Sequence, residues 1–139
     1  MLVLPRSVQA QEQIIYELKL AGMRVTSLNC GDLSSIDGVS GTAKFDPESK
    51  TLTLDNATIS TSVIKFPGLE NSIKGLTIRL IGDNTITSEN YWGLFNNTER
   101  SITFTGSGKL TVNGSTTAPQ TGYRRAIFNW GTIVVDGCT

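Results

Sequence analysis

The sequence predicts an all-β fold, a right-handed parallel β-helix of about three to four rungs with an N-terminal antiparallel hairpin cap. A repeated sequence motif predicts the strands. In residues 76–87, LTIRLIGDNTIT, an alternating run of apolar and polar residues is followed by a glycine and a second alternating run. That is the pattern of a strand, a corner and another strand. The motif returns in residues 51–60 and 101–112, and a short copy occupies residues 132–139.

The corners predict that the strands stack in parallel. When the copies are aligned, their corner residues superimpose, and their spacing lies within the range that is typical of repeat architectures. These residues are Asn56, Gly82, Gly106 and Gly137. Asparagine and glycine tolerate the left-handed backbone of a tight corner, which costs other residues steric energy. An antiparallel sandwich or jelly roll is the alternative, but its hairpins would not need corners in register.

The same alignment predicts a buried column of side chains. The residue two places before each corner is large and apolar in every copy. These residues are Leu54, Leu80, Phe104 and Val135. In a parallel coil they would stack inward, with about 4.8 Å between neighbouring rungs. We therefore expect Leu80, Phe104 and Val135 to form one inward column.

The N-terminal part predicts a leader and a cap. The segment MLVLPRSVQA is similar to the end of a secretory signal cut after Ala10, so residues 1–15 are interpreted as a leader remnant or a disordered tail. Residues 16–50 are interpreted as an antiparallel β cap with one tight turn at Ala21 and Gly22. A second hairpin, spanning residues 41–54, turns at the sequence DPES. These pieces can cover the first rung, whose backbone groups would otherwise be unpaired.

The rungs are assigned to residues 51–139. Because residues 132–139 supply only the first strand and corner of a rung, we expect the chain to be a fragment, with more rungs or a cap in the full protein. The open last rung would be available for end-to-end self-association.

Composition favours a secreted protein, extracellular or on the cell surface, without a nucleic-acid partner. Twelve basic and twelve acidic residues cancel, and neither sign is gathered into a run. The same balance argues against binding to a membrane surface. The sequence has no apolar run long enough to span a membrane.

Two sets of polar or reactive residues are expected to be structural. The amides of Asn96, Asn97 and Asn129 follow the third strand, and we expect them to stack in a ladder that satisfies corner backbone groups. Cys30 belongs to the cap and Cys138 to the fourth corner, about 14 Å apart along the axis. A disulfide requires about 4.4–6.8 Å between Cα atoms, so both are expected to be free thiols.

The cap sequence YELKLAGMRVTS, followed by the copies of the repeated motif, resembles the secreted bacterial β-helix proteins labelled carbohydrate-binding-domain-containing or pectate-lyase-like. The resemblance covers residues 16–139. It implies a polysaccharide ligand. No catalytic residue is carried over, because the matching positions are rungs and corners.

The residues also predict no catalysis and no cofactor. Lyases and hydrolases of this architecture need clustered carboxylates that hold Ca²⁺ beside a base, or paired aspartic acids on one strand face. Here Asp55, Asp83 and Asp136 lie near corners but not at one aligned position, and the chain has no histidine. Corner aspartates commonly bond only their own turn. A fragment of a polysaccharide lyase or hydrolase is the less favoured alternative.

Two neighbouring rungs are predicted to bring aromatic and basic side chains together. The segment GLFNN at residues 93–97 matches AIFNW at residues 126–130. The spacing between these two segments is longer than the spacing between the corners Gly82 and Gly106, so residues 115–123 are interpreted as an insertion. Rings offer flat apolar faces to the C–H side of a pyranose, and arginines offer forked donors to hydroxyl or uronate groups. The candidate ligand-binding residues are Tyr91, Trp92, Tyr123, Arg124 and Arg125.

Two readings of this surface are open. In the first, the chain is a non-catalytic carbohydrate-binding module; in the second, it is a structural or adhesin-like repeat segment, with Trp92 merely packed under the insertion. An exposed aromatic cluster would favour the first. Trp130 is expected to lie outside the surface, because it follows the far end of its strand, about 16 Å from the level of Trp92.

Overall fold

The computed structural model describes residues 12–139, and the expected cut after Ala10 lies outside the described residues. The described part is all-β, with two short 3-10 helices at Leu33–Ser35 and Thr121–Tyr123. The strands are β1 (Ile15–Leu20), β2 (Met23–Thr26), β3 (Val39–Asp46), β4 (Thr51–Thr61), β5 (Leu69–Asn71), β6 (Leu76–Ile81), β7 (Asp83–Ser88), β8 (Leu94–Asn96), β9 (Ser101–Gly106), β10 (Lys109–Asn113), β11 (Ile127–Asn129) and β12 (Thr132–Val135).

A curled sheet of six parallel strands forms the body of the protein, in the order β10-β7-β4-β6-β9-β12. β4 belongs to both halves of the curl. Its first half pairs with β6 and its second half with β7. Between the halves, Asn56 adopts a left-handed conformation with φ 48°. The sheet therefore bends at the corner that the sequence predicts there.

A second sheet has the order β11-β8-β5-β1-β2. β5, β8 and β11 run parallel to one another. β1 is antiparallel to both β5 and β2, so the N-terminal hairpin continues this sheet beyond the parallel strands. The chain passes repeatedly from the curled sheet to the second sheet and back.

The predicted parallel stacking is confirmed. β6, β9 and β12 pair side by side in parallel, which makes the antiparallel sandwich wrong for these strands. The all-β class and the curled parallel sheet are thus established. The closure of the coil and its right hand remain predictions.

One register prediction is wrong. Phe104 does lie opposite Val135, but its other partner is Ile78, and Leu80 lies opposite Gly106. The predicted alignment of Gly82 with Gly106 would have placed Leu80 opposite Phe104. The observed pairing of β6 with β9 is therefore shifted by two residues from the predicted one. A slip of two leaves every side chain on its own face, which explains why Phe104 is still buried.

The core is made of these inward columns of aliphatic and aromatic side chains. Leu52, Ile78 and Phe104 are opposite one another, with exposed fractions of 0%, 0% and 5%. Val135 ends the column, yet it is 63% exposed, because no described strand lies beyond β12. The predicted inward position of Val135 is correct in register, but its predicted burial is wrong.

Both predicted N-terminal hairpins are present. Ala21 and Gly22 join β1 to β2 with φ values of 51° and 81°, the sign that a tight hairpin turn of this kind requires. β3 and β4 pair with Phe45 opposite Leu52. In their turn the carboxylate of Asp46 accepts hydrogen bonds from the Glu48 N–H (3.1 Å) and the Ser49 hydroxyl (2.8 Å). These two donors, the hydroxyl first, hold the pKa of Asp46 below its usual value.

A ladder of asparagine amides runs along the second sheet. Asn71 Nδ2 donates to Asn96 Oδ1 (2.9 Å), and Asn96 Nδ2 donates to Asn129 Oδ1 (2.8 Å). The predicted ladder is confirmed for Asn96 and Asn129, and Asn71 is its unpredicted first member. Asn97 lies outside it, because its amide donates to the hydroxyl of Ser72 (3.2 Å) instead.

Cys30 and Cys138 are free thiols, as predicted. Among residues 12–139, no helix is long and apolar enough to cross a membrane.

Candidate functional site

Three connections of the chain meet at one corner, where the curled sheet leads into the second sheet. They comprise residues 62–68, 89–93 and 114–126. Backbone hydrogen bonds hold them side by side: Gly68 N–H donates to Trp92 O (3.3 Å), and Gly93 N–H donates to Arg125 O (3.0 Å). The predicted adjacency of the Trp92 and Arg125 segments is therefore confirmed.

The third connection is the longest of the three. Leu69 of β5 pairs with Leu94 of β8, and Leu94 pairs in turn with Ile127 of β11, so the second step along the chain is longer than the first. The additional length lies in residues 114–126, which agrees with the predicted insertion. Arg124 stabilises this loop, since its Nε donates to the carbonyl of Ala118 (2.9 Å).

Six aromatic rings form one continuous group beside this corner, which we call the aromatic surface. Its members are Tyr91, Trp92, Phe95, Tyr123, Phe128 and Trp130. Trp92 is at the centre, stacked on Phe128 at 4.2 Å between ring centroids and 15° between planes. Tyr91 stacks on Trp92 at 4.2 Å, and Phe128 contacts Trp130 at 5.3 Å.

The structure brings four of the five predicted residues to this surface. Tyr91, Trp92 and Tyr123 lie within 4.2–6.4 Å of one another, measured between ring centroids. Arg125 places its guanidinium carbon 4.7 Å from the centre of the Phe128 ring, a distance typical of cation–π contacts. Arg124, by contrast, is engaged with the insertion. It supports the loop that carries Tyr123.

Trp92 also packs against the insertion, as the alternative reading expected. Its indole N–H donates to the carbonyl of Gly122 (2.7 Å). This bond satisfies the polar edge of the indole and fixes the ring plane. Trp92 is thus an anchor for the loop as well as the centre of the ring group.

Three members of the aromatic surface were not among the predicted residues. Phe95 and Phe128 lie opposite each other on β8 and β11. Both alternate with inward-facing residues, and this alternation is the signal that could have placed them outside. Trp130 contacts Phe95 and Phe128 and not Trp92, which agrees with the predicted separation between the two indoles. Phe95 and Phe128 also contact Trp92, however, so Trp130 belongs to the aromatic surface after all.

The tyrosines add hydroxyl groups to the aromatic surface. Partial burial and then the proximity of Tyr123 and Glu70 raise the pKa of Tyr91 above its usual value. The shift favours the protonated phenol, which can donate as well as accept hydrogen bonds.

Chemistry elsewhere in the described residues is sparse. No three His, Cys, Asp or Glu side chains in residues 12–139 are placed to hold a metal ion. Every buried side-chain nitrogen and oxygen in that part of the chain has a hydrogen-bond partner. The aromatic surface is therefore the strongest candidate site.

No protein-family model, curated protein or solved structure matches this chain. The resemblance suggested by the repeats remains a prediction.

Proposed function

We propose that this chain is a non-catalytic carbohydrate-binding module, built as a right-handed parallel β-helix and acting outside the cell or on its surface. The observation that carries the proposal is the aromatic surface with Arg125 beside it. Its ring group ends in Trp130, which is 60% exposed. A contiguous group of exposed and half-buried rings, unlike a single exposed side chain, is typical of a binding site.

The exposed ring of the group is suited to a sugar. Trp130 makes edge contacts rather than stacked contacts with Phe95 and Phe128, so it can offer an apolar face to the C–H side of a pyranose. By analogy with aromatic pairs, such a contact contributes about 0.5–1.5 kcal/mol. The Arg125 guanidinium lies over the Phe128 ring, and the tyrosines add hydroxyl groups, so the surface carries donors and acceptors for sugar hydroxyls. A polysaccharide ligand in turn favours an extracellular location.

Three parallel ladders support the β-helix. The first contains β4, β6, β9 and β12, the second β4, β7 and β10, and the third β5, β8 and β11. Consecutive passes of the chain add one strand to each ladder, as in solenoid proteins. An experimental structure would test the closure and the hand of the coil.

The test of binding is a glycan array probed with the wild type and two variants. Trp130→Ala removes an exposed ring of the aromatic surface, while Phe66→Ala removes a 38% exposed ring outside it and is the control. Loss of one stacking contact should weaken binding about two- to tenfold. The double variant Trp92→Ala with Tyr123→Ala should abolish it.

Each variant must retain the circular dichroism spectrum of the wild type before its binding is compared. The proposal is rejected if the wild type binds no glycan of the array, or if Trp130→Ala and Phe66→Ala bind as the wild type does.

A second candidate function is that of a structural or adhesin-like segment that associates end to end. Apolar side chains at the end of the ladders favour it: Val135 is 63% exposed and Ile127 44% exposed. With Leu80, Phe104 and Leu110 they line an apolar cavity of about 140 Å³. Sedimentation would reveal self-association, and Val135→Lys should abolish it. A wild type that sediments as a monomer at high concentration would exclude it.

A further inference from the structure

One row of outward side chains crosses all five strands of the second sheet. Phe128 lies opposite Phe95, Phe95 opposite Glu70, Glu70 opposite Lys19, and Lys19 opposite Arg24. At about 4.8 Å between strands, the row is about 19 Å long. The aromatic surface occupies one end of this row, and two basic residues occupy the other.

The basic end of the row opens into a groove of about 490 Å³. Tyr16, Glu17, Lys19, Arg24, Ser72 and Arg100 are among its lining residues. Arg100 is fixed there, because its Nε donates to the Ser72 carbonyl (2.7 Å). A guanidinium held at its Nε can still offer its terminal N–H groups to a ligand.

The charges of this groove are unequal. Lys19 Nζ lies 3.6 Å from Glu70 Oε2, so these two charges largely offset each other. Arg24 and Arg100 then face a single further carboxylate, that of Glu17. Two guanidinium groups are suited to a carboxylate or sulfate, which they can bind through paired hydrogen bonds.

We infer that the ligand is a linear glycan that lies across the strands and carries an acidic group at one end. One sugar ring stacks on the aromatic surface, and the acidic group lies between Arg24 and Arg100. The distance from Phe95 to Arg24, three strand spacings, is about 14 Å. Several sugar units therefore separate the stacked ring from the acid. This inference rests on the proposed carbohydrate binding and specifies its ligand class.

The experiment uses matched pairs of oligosaccharides. One pair is a lactosamine tetrasaccharide with and without a terminal sialic acid, and the other is xylotetraose with and without a glucuronate. A sulfated lactosamine tetrasaccharide separates sulfate from carboxylate recognition. Affinities are measured for the wild type, for Arg24→Gln, and for Arg79→Gln as a control. Arg79 is an exposed arginine of β6, on the curled sheet.

We expect the acidic member of at least one pair to bind about tenfold more tightly than its neutral partner. Arg24→Gln should remove this preference, and Arg79→Gln should change neither the preference nor the affinity for the neutral members. Raising the salt from about 0.1 M to 1 M, which shortens the screening length from about 10 Å to 3 Å, should also reduce the preference.

The outcomes separate this inference from the proposed function. If neutral and acidic members bind equally, or if Arg24→Gln keeps the preference, the acidic subsite is wrong while carbohydrate binding stands. If the wild type binds glycans of the array but none of these oligosaccharides, the acidic subsite is likewise wrong while carbohydrate binding stands. If it binds no glycan of the array either, both are rejected.

Discussion

The asparagine ladder predicts that Asn96→Ala and Asn129→Ala, the same chemical change at two positions, lower the free energy of unfolding by very different amounts. Asn96 is fully buried, and its side chain makes three hydrogen bonds, with Asn71, Asn129 and the carbonyl of Arg100. At about 1 kcal/mol for each bond, Asn96→Ala should lower the free energy of unfolding by about 3 kcal/mol. Asn129 is exposed, so water can replace its partners, and Asn129→Ala should cost about 1 kcal/mol or less.

The assay is urea unfolding followed by circular dichroism. With an m-value of about 2 kcal/mol/M, the midpoint should fall by about 1.5 M for Asn96→Ala and by about 0.5 M at most for Asn129→Ala. The slope should not change. Asn96→Leu, which is similar in size to asparagine, separates the lost bonds from the lost volume and should be at least as destabilised as the alanine variant. Equal midpoint shifts for Asn96→Ala and Asn129→Ala would refute the argument.

Three further predictions concern the core, a corner and a turn. Phe104→Asp should unfold the protein, because an unpaired buried charge costs several kcal/mol. The control variant Phe104→Leu should fold. A folded Phe104→Asp variant, as measured by circular dichroism, would contradict the assigned burial. Gly82→Ala should lower the melting temperature more than Gly75→Ala. Both glycines have a positive φ, 66° at Gly82 and 80° at Gly75. Only at Gly82 would an added Cβ collide with a neighbour, the side chain of Asn56. Equal melting temperatures of the two alanine variants would contradict this. The pKa of Asp46 in the folded protein is lower than its ordinary value of 3.8, so the ionised carboxylate stabilises the fold. This stabilisation is fully present above pH 3.8 and is lost as the pH falls through the lower pKa of the folded state. The melting temperature of Asp46→Asn should therefore fall below that of the wild type at pH 7 and approach it in stronger acid; a pH-independent difference would count against the assigned hydrogen bonds.

Strand positions and the corner at Asn56 could be predicted, since both depend on local chemistry. The alternation in residues 76–81 assigns each side chain to a face, and a left-handed corner admits few residue types. The register between β6 and β9 could not be obtained in the same way. Glycine occurs at both 106 and 108, and a shift of two positions preserves the buried face, so the pattern alone does not distinguish the two alignments.

The candidate site was predicted in part for a similar reason. Tyr91, Trp92 and Tyr123 could be predicted because they lie just before the matching segments at residues 93–97 and 126–130. Phe95 and Phe128 lie inside the two matching segments, and the match alone does not show that their rings face outward. The row from Phe128 to Arg24 depends on pairing between the N-terminal hairpin and β5, a contact between distant parts of the chain that no local pattern encodes.

The lengthened connection at residues 114–126 has a consequence for how such a protein can change. It adds residues between β10 and β11, yet Phe128 still lies opposite Phe95 and Asn129 opposite Asn96. Length at this corner is thus independent of strand register. Segments added here that spare the buried Ser115 and Ala118, and the Gly122 carbonyl that Trp92 binds, would leave the strand pairing unchanged. The exposed part of this connection is therefore a suitable place to graft a different recognition loop onto the same scaffold.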